Sequence, residues 1–157
     1  IDKMILLNIR ATTLLTYYFL NDLKKLPGAY ILNISSFCAF IPLPMKCVYA
    51  ATKTYILFFS RSLQQELKGT GVRVSSLHPN GVRTNSRIRK SLRDAHMIAK
   101  ITTLDPSEVA YKAIDGMLKN RTLINPGFFT WFFYIFGSIL PYGIINRIVG
   151  RIFRKLS

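Results

Sequence analysis

The 157 residues suffice for one ordinary domain with a buried core, and because half of them are apolar the chain is not of the disordered class. Twenty-two lysines and arginines against seven acids give a formal charge of +15, which requires an anionic partner or surface: nucleic acid, an acidic membrane face, or a phosphorylated cofactor or substrate. Cys38 and Cys47 are too few for a disulfide framework, and with His78 and His96 scattered they offer no metal-ligand spacing. No metal is therefore expected, and the thiols are expected to be reduced, as in a cytoplasmic protein.

Residues 2–22 have apolar positions at Ile5, Ile9, Leu14 and Tyr18 and no internal Pro or Gly, which predicts a helix. It opens at Ile1 without a cap and inside its own amphipathic pattern, so the chain is expected to be the later part of a longer domain. Leu26-Pro27-Gly28 stops the helix. Ala29 to Ser35 is then a short apolar run of the kind found in a buried parallel strand.

After a loop with Pro42 and Pro44, residues 47–68 predict a second long helix, closed by Gly69-Thr70-Gly71. Val72 to Leu77 predicts a second strand, broken at His78-Pro79-Asn80-Gly81. Residues 83–100 carry Arg83, Arg87, Arg89, Lys90, Arg93 and Lys100, a pattern that suits a solvated face or the steering of an anionic substrate. Asp105 can cap a third helix, Pro106 suits its first position and Glu108 its third, and the pattern runs to about Lys119. Helices alternating with strands across short joints predict an α/β fold with a parallel sheet.

The last segment differs in kind. No charge occurs from Thr122 to Asn146, and seven of the nine residues from Phe128 to Phe136 are aromatic. Beyond Pro141, Arg147, Arg151, Arg154 and Lys155 share a helix with Ile148, Val149, Ile152 and Phe153. Three readings stay open for 126–157: an interfacial segment against anionic lipid, a buried lid or subunit contact, and a membrane span, which Pro141 disfavours.

Tyr49 and Lys53 lie four apart on the second helix and share a face. An ammonium beside a phenol favours the phenolate and lowers a pKa that starts near ~10, so such a tyrosine exchanges a proton with an alcohol or ketone oxygen. The pair alone is common. Ser36, thirteen residues before Tyr49, adds a hydroxyl at the C-terminal end of a strand, where parallel sheets place their ligands.

Asn33-Ile34-Ser35-Ser36 followed by Tyr49-Ala50-Ala51-Thr52-Lys53 resembles the catalytic segment of the short-chain dehydrogenase/reductase family. Asn8 occupies the place of that family's helix asparagine, and Pro79-Asn80-Gly81-Val82-Arg83-Thr84 resembles its Pro-Gly-x-Val-x-Thr turn, with Asn80 at the usual glycine. Asn tolerates a left-handed backbone, so that turn is expected to survive.

The resemblance covers residues 1–125, leaving 126–157 as an extension. It implies a partial Rossmann-type doubly wound parallel sheet holding the later strands. It also implies an NAD- or NADP-dependent oxidoreductase that interconverts alcohol and ketone on a small or lipid-like substrate. Tyr49 would be the general acid or base, and Lys53 would tune it and touch the nicotinamide ribose. Ser36 would hold the substrate oxygen, and Asn8 would support a water leading to Lys53. Tyr49, Lys53, Pro79, Val82 and Thr84 would border the cofactor, and helices 2–22 and 47–68 would pair in a homo-oligomer.

No Gly-x-x-x-Gly-x-Gly arrangement occurs among the nine glycines, so these residues alone are expected to bind dinucleotide weakly and to be inactive by themselves. The rival reading is a non-enzymatic membrane-surface protein that retains a degenerate dehydrogenase half, in either case cytoplasmic or peripheral to a membrane. Nucleic acid is not an expected partner, because the aromatics cluster away from the basic run.

Overall fold

A computed structural model describes residues 1–83 and 103–154, with only the backbone described at 142 and 152–154. The first helical stretch is helical throughout but not uniform. α1 (Asp2–Ile5) passes into a π-helical turn (Leu6–Ala11) and then α2 (Thr12–Leu23), with helical backbone at both junctions. The wide turn contains Asn8, and such turns alter the direction of side chains on an otherwise regular helix.

The stop at 26–28 delivers the chain to β1 (Ala29–Ile34). After a 3₁₀ turn (Phe37–Ala39), α3 (Cys47–Glu66) carries the chain back to β2 (Val72–Leu77). The helix ends a little before the expected Lys68, and Gly69 takes the left-handed φ of +85° that reverses the chain there. β1 and β2 are parallel, in register from Ala29 opposite Val72 to Ile34 opposite Leu77.

α4 (Pro106–Leu118) starts on Pro106 as expected, but Asp105 makes no side-chain cap. Its carboxylate lies 3.4 Å from the Arg83 guanidinium instead. β3 (Leu123–Ile124) adds a third parallel strand beside β2, giving the order β1-β2-β3. α4 approaches that strand closely at Gly116, where a β-carbon would come within 2.9 Å of Ile124 Cγ1. α5 (Phe128–Ile139) and α6 (Tyr142–Arg154) follow, separated at Pro141.

Helices cover both faces of the sheet, as a doubly wound α/β fold requires. Leu20, Leu63 and Leu67 pack with Ala29, Val72 and Val74 on one face, while Val109 and Ala113 meet Leu77 and Ile124 on the other. Each fully buried Leu or Ile contributes roughly 1.5–3 kcal/mol, so the α3 seam through Ile56, Leu57 and Leu63 is a main source of cohesion.

The aromatic and basic extension is half docked. Ile145 and Val149 of α6 are buried against Ala39, Ile41 and Leu43 and against Ala50 of α3. Among the described residues no helix is long and apolar enough to cross a membrane.

Candidate active site

β1 leads directly into the site. Its backbone continues to pair with the segment after β2, through Ser35 N–H to Leu77 O at 2.8 Å and Phe37 N–H to Pro79 O at 3.1 Å. Ser36 stands between these two bonds in extended conformation and caps the 3₁₀ turn, its hydroxyl accepting the Cys38 N–H at 3.3 Å. Tyr49 lies in the first turn of α3 and Lys53 one turn on, so both project toward the end of β1. Ser36 and Tyr49 line the same cleft, and the Ser36 side chain is close enough to the phenol to offset part of the effect of burial on it.

Several bonds fasten these residues. The Lys53 ammonium donates to the Ile34 carbonyl at 2.9 Å, and the Ser35 hydroxyl donates to the Lys53 carbonyl at 2.8 Å. The Thr52 hydroxyl donates to the Tyr49 carbonyl at 2.9 Å and accepts from Asn8 Nδ2 at 3.0 Å. The π-helical turn is therefore tied to α3 through Asn8.

His78 completes the frame from beneath. Its Nδ1 lies 3.2 Å from the Ser36 carbonyl, its Nε2 lies 2.9 Å from the Ser76 hydroxyl, and its ring packs on Phe40 with centroids 4.7 Å apart. A carbonyl only accepts, so Nδ1 carries a proton toward Ser36, while the Ser76 hydroxyl beside Nε2 also donates to the Thr122 carbonyl at 3.2 Å. Burial lowers the His78 pKa to about 4, which keeps the ring neutral.

The electrostatics correct one expectation. Burial raises the Tyr49 pKa above the ordinary phenol value, and the nearby Ser36 side chain only partly opposes it. The Lys53 ammonium is bonded to the Ile34 carbonyl and sits 5.8 Å from the centre of the Tyr49 ring. Burial also lowers the pKa of Lys53 itself. Tyr49 therefore holds its proton at neutral pH.

The predicted residues divide between two hollows. Ser36 and Tyr49 line a cleft of about 710 Å3 together with Phe37, Cys38, Asn80 and Gly81. Asn8 and Lys53 border a neighbouring groove along the outer edge of β1, beside Leu32 and Ile34. Pro79 contributes its carbonyl to Phe37, and Val82 packs beside Leu77 while bridging to Leu104. Thr84 and the basic run after it lie outside the described residues.

Asn80 departs from expectation as well. Among the described non-glycine residues only Met45 and Asn120 have positive φ, so the turn uses no left-handed backbone at position 80. His78, Ser35 and Thr52 are the supporting residues that sequence reasoning missed. A histidine directly before the proline that ends a strand was the available signal for the first.

Comparison with known proteins agrees with this geometry. The family model described as short chain dehydrogenase matches residues 1–95. The chain is 38% identical over 152 residues to the very-long-chain 3-oxoacyl-CoA reductase of Anas platyrhynchos, covering 96% of this chain and 46% of that protein. The solved structure of a 7β-hydroxysteroid dehydrogenase superposes with a TM-score of 0.78 at 19% identity, covering 93% of this chain and 57% of the other, a likeness of fold. A short-chain dehydrogenase from Sphingobium yanoikuyae, solved in complex with NADPH, gives a TM-score of 0.67 at 25% identity over 85% of this chain and 52% of the other. The chain spans under half the length of the protein relatives it matches.

Proposed function

The chain belongs to the short-chain dehydrogenase family, and from that membership we propose that the protein interconverts an alcohol and a ketone on a lipid-like molecule with NAD or NADP. The observation that carries this reading is the placement of Ser36 and Tyr49 in one cleft at the C-terminal end of a parallel strand, with Lys53 one helical turn away. When bound, the nicotinamide supplies or takes the hydride.

The rest falls to this chain's own residues. The cleft fits such a group: Asn80 Oδ1, among its lining residues, is buried and has no partner among the described residues, and is an acceptor suited to a carboxamide N–H. Lys53, its ammonium at the mouth of the adjoining groove, would meet the ribose hydroxyls. Ser36 donates to the substrate oxygen and orients it. Tyr49, protonated at neutral pH, gives its proton to the oxygen as negative charge develops there, and takes it back in the reverse direction.

The lipid-like character of the substrate rests on the extension. Phe128, Trp131, Phe132, Ile135 and Ile139 form an exposed stripe along α5, and Arg147 and Arg151 are exposed on α6. Aromatics at headgroup depth and arginines against anionic lipid make a membrane-surface contact. Two copies would pair along α2 and α3, where Tyr18 and Phe58 are exposed.

The test is nicotinamide-coupled turnover of hydrophobic ketones by the full polypeptide that carries these residues, beside sedimentation with anionic and neutral vesicles. Turnover together with anionic-vesicle binding supports the whole reading. Vesicle binding by a protein that neither binds nor oxidises a dinucleotide favours the non-enzymatic membrane-surface alternative.

A further inference from the structure

α4 leaves an apolar stripe in solvent. Val109, Ala113 and Gly116 form the buried face of this helix. On another side Tyr111, Ile114 and Leu118 are 72%, 52% and 55% exposed, with the exposed Ala110 beside them. Spacings of three and four residues set these side chains in one continuous row. Such a row is unfavourable in water until something apolar covers it.

The charges beside the stripe identify what covers it. With about 3.6 residues per turn, Glu108, Lys112, Asp115 and Lys119 all fall on one flank, between the stripe and the buried face. Lys112 pairs with Glu108 at 2.6 Å and Lys119 with Asp115 at 2.8 Å, and all four side chains keep part of their surface in water. Along the helix the signs therefore alternate, negative, positive, negative, positive.

A row of this kind is complementary to itself when reversed. In an antiparallel pair of α4 helices related by a two-fold axis, the same flank of each helix meets. Glu108 then faces the second copy's Lys119, and Lys112 faces the second copy's Asp115. Tyr111 lies over the second copy's Leu118, and Ile114 meets its own counterpart near the axis. The overall charge points the same way. A chain of +15 repels its own copies, so self-pairing needs a face on which charge cancels, and this flank sums to zero.

We infer that α4 is a self-complementary docking surface, on which a second copy of this chain packs antiparallel through Tyr111, Ile114 and Leu118. α4 covers the opposite face of the sheet from α2 and α3. The contact is therefore separate from the pairing along those two helices, and it does not depend on the oxidoreductase reading. Where both contacts form, they join pairs into a larger assembly.

The experiment is sedimentation equilibrium of the full polypeptide that carries these residues, over a range of concentrations, with thermal melts of each variant. Ile114→Lys sets like charges against each other at the axis and, at an exposed position, leaves the melt unchanged while the mass of the largest species falls by half. Lys119→Glu sets like charges against the second copy's Glu108 and weakens association by at least about tenfold. Adding Glu108→Lys to that variant restores opposite signs across the pair and recovers most of the loss.

An unsubstituted protein that is monomeric at every concentration overturns the inference. So does an unchanged mass for Ile114→Lys, which leaves the stripe to another partner or to none. A double variant that associates no better than Lys119→Glu alone shows that the two flanks do not face each other, and overturns the antiparallel pairing.

Discussion

His78 Nδ1 stands 3.2 Å from the carbonyl oxygen of Ser36, so a residue just past β2 fixes the backbone of the serine that lines the cleft beside Tyr49. The Nδ1–H that makes this bond is present in the neutral ring, the state that burial favours by lowering the His78 pKa to about 4.

That shift has a consequence for stability. An unfolded histidine titrates near ~6.5, so between that value and about 4 the unfolded chain binds a proton that the folded one refuses. Stability therefore falls as pH falls through this window, by at most about 3 kcal/mol, and His78 contributes no slope above it. Urea unfolding of the protein and of His78→Gln across the window isolates the term, because carboxylates titrate in both. Equal slopes in the two proteins would show that His78 is not buried as a neutral ring.

The Asn8–Thr52 bond joins the π-helical turn to α3, and Thr52 is almost fully buried. Thr52→Val keeps the shape and removes the hydroxyl that serves both Asn8 and the Tyr49 carbonyl. It is expected to cost about 1–3 kcal/mol, since Asn8 is left half-buried and unpaired. A double-mutant cycle with Asn8→Ala should give a coupling near ~1 kcal/mol. Strict additivity of the two substitutions would mean that the contact carries no energy.

Gly137 is tight for a stated reason: its helix lies directly on the Phe40 backbone carbonyl, which cannot rotate away. Gly137→Ala should destabilise by about 1–3 kcal/mol, as overpacking does, despite the better helix propensity of alanine. Ser138→Ala, at an exposed neighbouring position, should stay within about 0.5 kcal/mol. Thermal melts of the two variants decide it, and an unaffected Gly137→Ala would mean that α5 is not docked there.

The sheet was legible wherever an apolar run was bounded by turn residues, as at 29–34 and 72–77. β3 was not, because two residues, Leu123 and Ile124, carry no periodicity. The π-helical turn was equally hidden, since Leu6–Ala11 keeps a helix-forming composition and only the backbone register changes. Ser36, Tyr49 and Lys53 could be named from the resemblance of 33–36 and 49–53 to the family's catalytic segment, but the state of Tyr49 could not. It depends first on burial, which the folded packing alone sets. His78 was set aside as isolated because its partners Ser36 and Phe40 are remote in sequence and meet it only across the folded sheet.

The central claim is that Tyr49 moves the proton. The most direct measurement is nicotinamide-coupled ketone reduction by the full polypeptide with Tyr49→Phe, alongside dinucleotide binding and thermal stability of the same variant. The ring is kept and only the hydroxyl is lost, so fold and cofactor binding should persist while kcat falls by roughly 10²–10⁴-fold. A variant that reduces the ketone within a few-fold of the unsubstituted rate would contradict the claim and leave the site without its acid.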